Sequence, residues 1–303
     1  MVNKTRAYAK VNLHLEVLGR RRDGYHDIFS LMAGVELHDL LKLESIEAYE
    51  SQNDAVSVTI LSGGGTQKDI LDSIPVKDNL ITRATVAYLE TMNMSGDAVF
   101  SIRKNIPAGA GLGGGSSDAA AALKLLNGRF SRYAAYELSA VGSKIGADVA
   151  YCLQGGFAVC RGIGEIVTPL PAKFPYWVLI INDGVHINTG AAYKALNITG
   201  EVSPAREAET GKRVRQVVKA LATGSIDLLR EIARNDFETP AFEQYPGIGA
   251  VKERLYDLGA EFSIMTGSGS SVIALFKKKE KAVQVQDKIR RDYKEVILTR
   301  FLH

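Results

Sequence analysis

Five glycines fall within seven residues, from Gly109 to Gly115, and Ser116, Ser117 and Asp118 follow at once. Glycine lets the main chain take positive φ and lets a ligand approach the backbone closely. The Ala/Leu-rich residues that come next predict a helix over about 117–127. A helix start offers N–H groups without partners and about half a positive charge. Together they make an anion site suited to phosphates. Ser116 and Ser117 add hydroxyls, and either can face a metal ion held by those phosphates. A Walker loop is excluded, since it ends Gly-Lys-Ser/Thr, whereas Gly115-Ser116-Ser117 has no lysine. A dinucleotide fingerprint read from Gly111-Leu112-Gly113 meets Ser116 in place of its third glycine.

Other residues able to do chemistry lie far from this loop in sequence. Residues 6–18 alternate, with Ala7, Ala9, Val11, Leu13, Leu15 and Val17 on one face and Tyr8, Lys10, Asn12, His14 and Glu16 on the other. A period of two is the mark of a strand with one face in the core. Lys10 then stands in a polar row that reads as a site wall; alone it is equally a solvated strand lysine. Asp148 follows the small residues Gly146 and Ala147 at a helix end, open to a ligand, although a turn or cap aspartate looks the same. Tyr25 and His26 follow the Asp23-Gly24 turn, and an aromatic ring beside an imidazole suits a flat nucleobase.

The run Pro107-x-Gly-x-Gly-Leu-Gly-Gly-Gly-Ser-Ser resembles the ATP-binding motif of the GHMP kinases. Tyr8-Ala9-Lys10-Val11-Asn12-Leu13 is similar to the first motif of that family, and Met265-Thr266-Gly267-Ser268-Gly269-Ser270-Ser271 to the third. The resemblance spans nearly the whole chain. One branch fits best, on Gly19 to His26, Gly146-Ala147-Asp148-Val149, Gly162-x-Gly164-Glu165, Asn79-Leu80, Asn235 to Glu238 and Gly184-Val185-x-Ile187-x-Thr189. Its members phosphorylate a diphosphocytidyl methylerythritol in the non-mevalonate isoprenoid pathway; the alternatives are another small-molecule kinase of the family, acting on homoserine or mevalonate, and a non-catalytic nucleotide- or sugar-binding member of the fold.

The resemblance implies ATP as phosphoryl donor and direct in-line transfer. It implies Lys10 and Asp148 as catalytic residues, Asp148 being the general base and Lys10 stabilising the alkoxide and γ-phosphate charge. ATP is expected on Asn79, Leu80 and Lys104 around adenine, and on Pro107, Gly109, Gly111, Leu112, Gly113, Gly114, Gly115, Ser116 and Ser117 along the phosphates. Substrate is expected on Asn12, Tyr25, His26, Asp148, Thr189, Tyr193 and Gly267, with Tyr25 and Tyr193 sandwiching cytosine and His26 reading its edge. No side-chain metal cluster is expected; Mg2+ is held mainly by the ATP phosphates, with Ser116 as a candidate ligand. The implied fold is α+β in two domains. The first, over 1–168, is like ribosomal protein S5 domain 2, and the second, over 169–303, is ferredoxin-like.

The elements that must position these residues are legible in outline. Strands are predicted at 28–46, 55–61, 97–104, 156–160, 164–168, 176–182, 261–265, 272–276 and 295–301, and helices near 79–92, 132–145, 189–197, 208–223, 225–235, 246–258 and 279–292. Pro169, Pro171 and Pro175 mark the expected domain boundary. With 303 residues there is room for two cores. A formal net charge of +3 is too small to argue for nucleic acid, and there is no Lys/Arg stripe with interleaved aromatics. Cys152 and Cys160 read as buried reduced thiols, not a disulfide framework. No apolar run approaches the roughly 20 residues that span a membrane, and no signal or transit segment stands out at the start. The expectation is a cytoplasmic enzyme, a monomer or weak homodimer, with a small-molecule cytidyl diphosphate substrate and neither nucleic acid nor membrane as partner. The sequence does not say what the segment 50–75 does.

Overall fold

The N-terminal alternation forms one long strand, β1 (Lys4–Arg20), which turns through Asp23-Gly24 into an even longer β2 (His26–Glu50). The turn closes with the Gly24 N–H donating to the Arg21 carbonyl at 3.1 Å. These strands belong to a computed structural model that describes residues 3–51, 55–69 and 74–302. The chain divides into two compact units. The first holds the described residues as far as Ala9, with Leu37–Ala108 and Gly113–Gln154; the second holds Lys10–Glu36, Gly109–Leu112 and the described residues from Gly155 on. The units interleave along the chain because β1, β2 and the glycine-rich loop each contribute to both. They are therefore a different partition from the two sequence segments 1–168 and 169–303.

In the first unit β3 (Val56–Ser62) pairs in parallel with β4 (Met94–Arg103), and β4 pairs antiparallel with Leu40–Glu50 of β2. Parallel pairing needs a crossover connection. Helix α1 (Leu80–Glu90) lies in it, started by Asn79, whose Oδ1 accepts from the Ile81 N–H at 3.0 Å. Helices α2 (Gly114–Phe130), α3 (Ala135–Ile145) and α4 (Ala147–Gln154) follow. The start of α2 is buried on most sides, Ser117 to Leu123 without a break. Its alanines make that possible, since small side chains let α1 and α4 pack closely. Phe100, Ile102, Tyr88, Leu89 and Leu126 fill the core against them.

In the second unit Ser30–Ala33 of β2 pairs antiparallel with β5 (Phe157–Arg161), and β5 with β6 (Ile166–Leu170). A four-stranded antiparallel sheet holds β7 (Trp177–Asn182), β8 (Phe262–Met265), β9 (Val272–Phe276) and β10 (Glu295–Arg300) in the order β10-β7-β9-β8. That strand order, with helices after β7 and β9, is the ferredoxin-like arrangement. Five helices stand between β7 and β8 where the simple motif has one: α5 (Thr189–Ala195), α6 (Pro204–Thr223), α7 (Ile226–Ile232), α8 (Glu238–Gln244) and α9 (Pro246–Asp257). Helix α10 (Lys279–Ile289) crosses from β9 to β10. Leu179, Ile181, Phe237, Val251, Leu255 and Val285 form the core of this unit.

Helices α4 and α8 were not foreseen. Each is short, seven or eight residues; one residue separates α4 from the end of α3, and one separates α8 from the start of α9, so no loop composition marks them off. In the segment 50–75, β3 confirms the expected strand at 55–61, while 52–54 and 70–73 lie outside the described residues.

Candidate active site

The polar row of β1 faces protein, not water. Lys10 is only 4% exposed and Asn12 1%, while His14 and Glu16 are fully buried. A buried ammonium needs hydrogen-bonded compensation, and Lys10 Nζ donates to Asn12 Oδ1 at 2.7 Å. That oxygen also accepts from the Gly267 N–H at 2.9 Å and from Thr266 Oγ1 at 3.2 Å. On its other side Asn12 Nδ2 donates to Ser30 Oγ at 2.7 Å, and the Asn12 N–H donates to Thr266 Oγ1 at 2.9 Å. Asn12 therefore holds the lysine and the turn 266–271 at once.

That turn meets the crown of the glycine-rich loop, Gly109–Leu112. The Lys10 N–H donates to the Leu112 carbonyl at 3.0 Å. Gly111 has φ +75°, and a Cβ there would stand 2.2 Å from the Thr266 carbonyl oxygen. Only glycine fits that approach. The side chain of Asn235, which the sequence offered only as part of a family match, completes the clamp. Its Nδ2 donates to the carbonyls of Met265 and Gly267, both at 2.8 Å.

Further along β1, Glu16 collects donors from four residues. Arg213 Nε donates at 2.7 Å, Arg234 Nη2 at 2.6 Å and Thr210 Oγ1 at 3.0 Å. His14 Nδ1 accepts from the Arg234 N–H at 3.2 Å, so Nε2 carries the proton and donates to Glu16 Oε1 at 2.9 Å. Burial pushes the Glu16 carboxyl up, but the hydrogen bonds from His14 and Arg213 and the Arg234 charge outweigh it and hold the group well below the usual carboxylate range. This network pins α6 and the segment 234–236 onto β1. Sequence reading missed it: Arg213 and Arg234 lie about 200 residues downstream of Glu16 and carry no local signal.

The aromatic residues come together differently from the expected sandwich. His26, not Tyr25, stacks on Tyr193, with ring centroids 4.8 Å apart and planes 20° apart. Phe237 meets Tyr193 edge-on at 4.9 Å. Tyr25 sits on the turn, 60% exposed. Tyr193 lies on α5, whose start is capped by Asn188 Oδ1 accepting from the Ala191 N–H at 3.0 Å. Thr189, the first residue of α5, has its hydroxyl 3.2 Å from Ser268 Oγ, which ties α5 to the turn 266–271.

In the first unit Gly113, with φ +68°, turns the chain into α2. The N–H groups of Gly114, Gly115 and Ser116 then have no intrahelical acceptor. Ser117 is committed to the helix, its hydroxyl donating to the Gly114 carbonyl at 2.8 Å, while Ser116 is half-buried. Leu80, at the start of α1, packs beside Gly115, where a Cβ would stand 3.4 Å from its Cδ1. Pro107 is buried.

Lys104 is buried among carboxylates. It donates to Asp118 Oδ2 at 2.7 Å and to Asp39 Oδ2. Asp39 is fully satisfied, since its Oδ1 accepts from the N–H groups of Asn105 at 2.5 Å and Ile106 at 2.9 Å. Asp118 Oδ1 is buried with no hydrogen-bond partner among the described residues. Burial pushes the Asp118 carboxyl up to about 8; Lys104 pulls it down and Asp39 adds to the rise. Burial pulls Lys104 the other way, but Asp118 and Asp39 leave it above the ordinary lysine value.

Asp148 stands in the first turn of α4, half-buried. Among the described residues no group of three His, Cys, Asp or Glu side chains could hold a metal ion. No helix among them is long and apolar enough to cross a membrane.

Comparison with known proteins agrees with this arrangement. Residues 79–156 match the GHMP kinases N terminal domain, and residues 217–295 match the GHMP kinases C terminal family. The chain is 37% identical over 299 residues to the 4-diphosphocytidyl-2-C-methyl-D-erythritol kinase of Caldicellulosiruptor saccharolyticus, covering 97% of this chain and 95% of that protein. It is 34% identical over 298 residues to the enzyme of the same name from Clostridium kluyveri, covering 97% and 98%. Among solved structures, a 4-(cytidine 5'-diphospho)-2C-methyl-D-erythritol kinase superposes with a TM-score of 0.74 at 30% identity, covering 99% of each chain. A homoserine kinase from Cytophaga hutchinsonii superposes at 0.73 with 20% identity, covering 99% and 96%, which is a likeness of fold.

Proposed function

The chain belongs to the GHMP kinase family, and from that premise we propose that it moves the γ-phosphoryl group of ATP onto the hydroxyl of 4-diphosphocytidyl-2-C-methyl-D-erythritol. The product is the 2-phosphate, an intermediate of non-mevalonate isoprenoid precursor biosynthesis. Among geometric observations, the one that carries the reading is the Lys10 ammonium, buried on a strand and held on Asn12 Oδ1. Burying a lysine is costly, and a family of phosphoryl-transfer enzymes supplies the reason to retain it.

In this reading the ATP phosphates lie along Pro107, Gly109, Gly111, Leu112, Gly113, Gly114, Gly115, Ser116 and Ser117, with Asn79 and Leu80 toward adenine. Lys104 serves that site indirectly, since its ammonium is taken by Asp39 and Asp118 and sets the start of α2. Phosphoryl transfer is largely positioning and charge stabilisation. Asp148 accepts the proton of the substrate hydroxyl as that oxygen bonds to the γ-phosphorus and ADP departs. Lys10 stabilises the charge that develops on the transferring oxygens.

Asn12 and Gly267 act through Lys10 and the turn, and Thr189 lies beside the acceptor. Cytosine takes the aromatic site: Tyr25 closes on it from the exposed turn, and His26 leaves or shares the face of Tyr193 to reach the base edge. Mg2+ would be held mainly by the ATP phosphates, and the half-buried hydroxyl of Ser116 at the start of α2 is the side-chain group that would join them. When bound it neutralises phosphate charge. We assign the family domain boundary to 168/169, which falls between the two matched segments. The enzyme works in the cytoplasm as a monomer or weak homodimer, without nucleic acid.

A coupled ADP-release assay tests the reading with three acceptors: 4-diphosphocytidyl-2-C-methyl-D-erythritol, mevalonate and homoserine. Turnover with the first alone is expected. Faster turnover with either of the others sinks the substrate assignment.

A further inference from the structure

His186 stands out among the groups that the proposed reaction does not use. Its imidazole lies against the first glycine of the phosphate loop: a Cβ on Gly109 would be 2.2 Å from His186 Nδ1 and 2.6 Å from Cε1. Gly109 has φ +61°, so the loop is glycine there for two reasons, its conformation and the ring beside it. The other histidines of known placement are engaged. His14 bonds to Glu16, His26 stacks on Tyr193 and His38 meets Tyr8 edge-on. His186 is exposed, and neither ring nitrogen has a hydrogen-bond partner among the described residues.

Its position is fixed from both sides. Gly184 is held by Asn182 Oδ1, which accepts its N–H at 2.8 Å. The Val185 carbonyl accepts from Ser270 Oγ, and Ile187 is buried. Two residues later Asn188 caps α5, and Thr189 reaches Ser268. One short segment thus presents an imidazole to the loop crown, a hydroxyl to the turn 266–271 and, through α5, the Tyr193 ring. The crown itself is held from elsewhere, by the Lys10 N–H on Leu112 and by the Ser271 N–H on the Ala110 carbonyl at 3.4 Å. His186 is therefore not needed to hold the loop. What it adds there is an exposed imidazole, able to donate from a ring nitrogen, beside Gly109 and Gly111, both of positive φ.

We propose that His186 is a phosphate-contact residue, donating a ring N–H to a phosphate oxygen of the ligand that lies on the Gly109–Leu112 crown. The proposal rests on the reading that this loop binds phosphates. Two ligands of the reaction bring a diphosphate, the nucleotide and the cytidyl acceptor. The chemistry is the same for both, so the test must tell them apart.

Binding of ADP and of cytidine diphosphate is measured separately by calorimetry on the full chain and on four variants, His186→Ala, His186→Leu, His186→Asn and His186→Gln. A hydrogen bond to a charged group is worth a factor of about 10–100 in affinity. The expected result is a loss of about tenfold or more for one of the two ligands in the Ala and Leu variants, with the other ligand unchanged. One of the two amide variants, which keep an N–H donor, recovers most of that loss. Because His186 is exposed and unbonded, all four should melt within about 2 °C of the parent, as expected for a surface site. The proposal is overturned if Ala binds both ligands as the parent does, or if Leu recovers binding as well as an amide, since the ring would then only fill space. Failure of the parent chain to bind either ligand is a different result, and it removes the phosphate-loop reading itself.

Discussion

Replacing Asn12 with alanine tests whether this side chain serves the substrate directly or acts through Lys10. The substitution removes the Oδ1 that accepts from Lys10 Nζ, the Gly267 N–H and Thr266 Oγ1, and the Nδ2 that donates to Ser30 Oγ. Lys10 and Thr266 are both buried, so water cannot readily replace the lost acceptor. Losing the charged hydrogen bond costs about 1.5–3 kcal/mol, and each buried group left without a partner about 1–3 kcal/mol. With some relaxation of the turn, destabilisation of about 3–5 kcal/mol is expected, which chemical denaturation measures. The catalytic effect follows from the same bonds. Removing a preorganised charge-stabilising donor costs about 10²–10³ in kcat, and Asn12→Ala should approach that loss by releasing Lys10 from its aim. KM for the cytidyl substrate should move by less than about fivefold, because a positioning residue withdraws transition-state rather than ground-state contacts. The near-isosteric Asn12→Asp keeps the acceptors for Lys10 and Gly267 and should recover more than half of the lost log kcat. A normal kcat with a large rise in KM refutes this reasoning and makes Asn12 a direct substrate ligand.

Three other expectations come from the same geometry. Glu16 should make stability acid-sensitive: its carboxyl is depressed below the ordinary value of 4.5, so its contribution is present above that pH and is lost as pH falls below it. Denaturation between pH 6 and 3 should show this fall, and Glu16→Gln, which breaks a buried ion pair at a cost of about 3–5 kcal/mol, should flatten it. Asp118 works in the opposite sense. With its carboxyl raised from 3.8 to about 8, the folded chain holds a proton that the unfolded chain releases, so this residue's contribution to stability declines as pH rises across that window. Asp118→Asn should therefore melt higher than the parent at pH 7.5, whereas a lower melting point would show that Lys104 needs both carboxylates. Tyr193→Ala removes the ring that His26 stacks on; KM for the cytidyl substrate should rise about tenfold or more, as stacking on one ring is worth about 1–3 kcal/mol, with KM for ATP within about twofold.

Much of the architecture was legible because it is written in local pattern. The period-two alternation of residues 6–18 gave β1, and the glycine run followed by small residues gave the loop and α2. What the pattern could not give was what covers each face. A polar row on a strand reads as a site wall, yet Lys10, Asn12, His14 and Glu16 are buried: Asn12, His14 and Glu16 meet partners distant in sequence, and Lys10 donates to Asn12. Lys104 was expected near adenine on resemblance, while its ammonium is taken by Asp39 and Asp118, a pairing that no spacing announces. Tyr25 and His26 are adjacent and both aromatic, so sequence offered no reason to choose which stacks on Tyr193; the tight turn at Gly24 leaves Tyr25 outside and brings His26 in. Asn235 was visible only as one letter of a family match, since its role as a clamp depends on two carbonyls about 30 residues away.

The central claim is that a phosphoryl group passes from ATP to the acceptor hydroxyl with Asp148 taking the proton. Phosphorus NMR of a reaction with 4-diphosphocytidyl-2-C-methyl-D-erythritol follows that transfer directly, in the parent chain and in Asp148→Asn. One new phosphomonoester signal per ADP formed is expected from the parent, and from the variant a rate lower by about 10²–10⁴ with ATP affinity unchanged. ADP formed without the phosphomonoester, or an Asp148→Asn variant that makes it at the parent rate, contradicts the account.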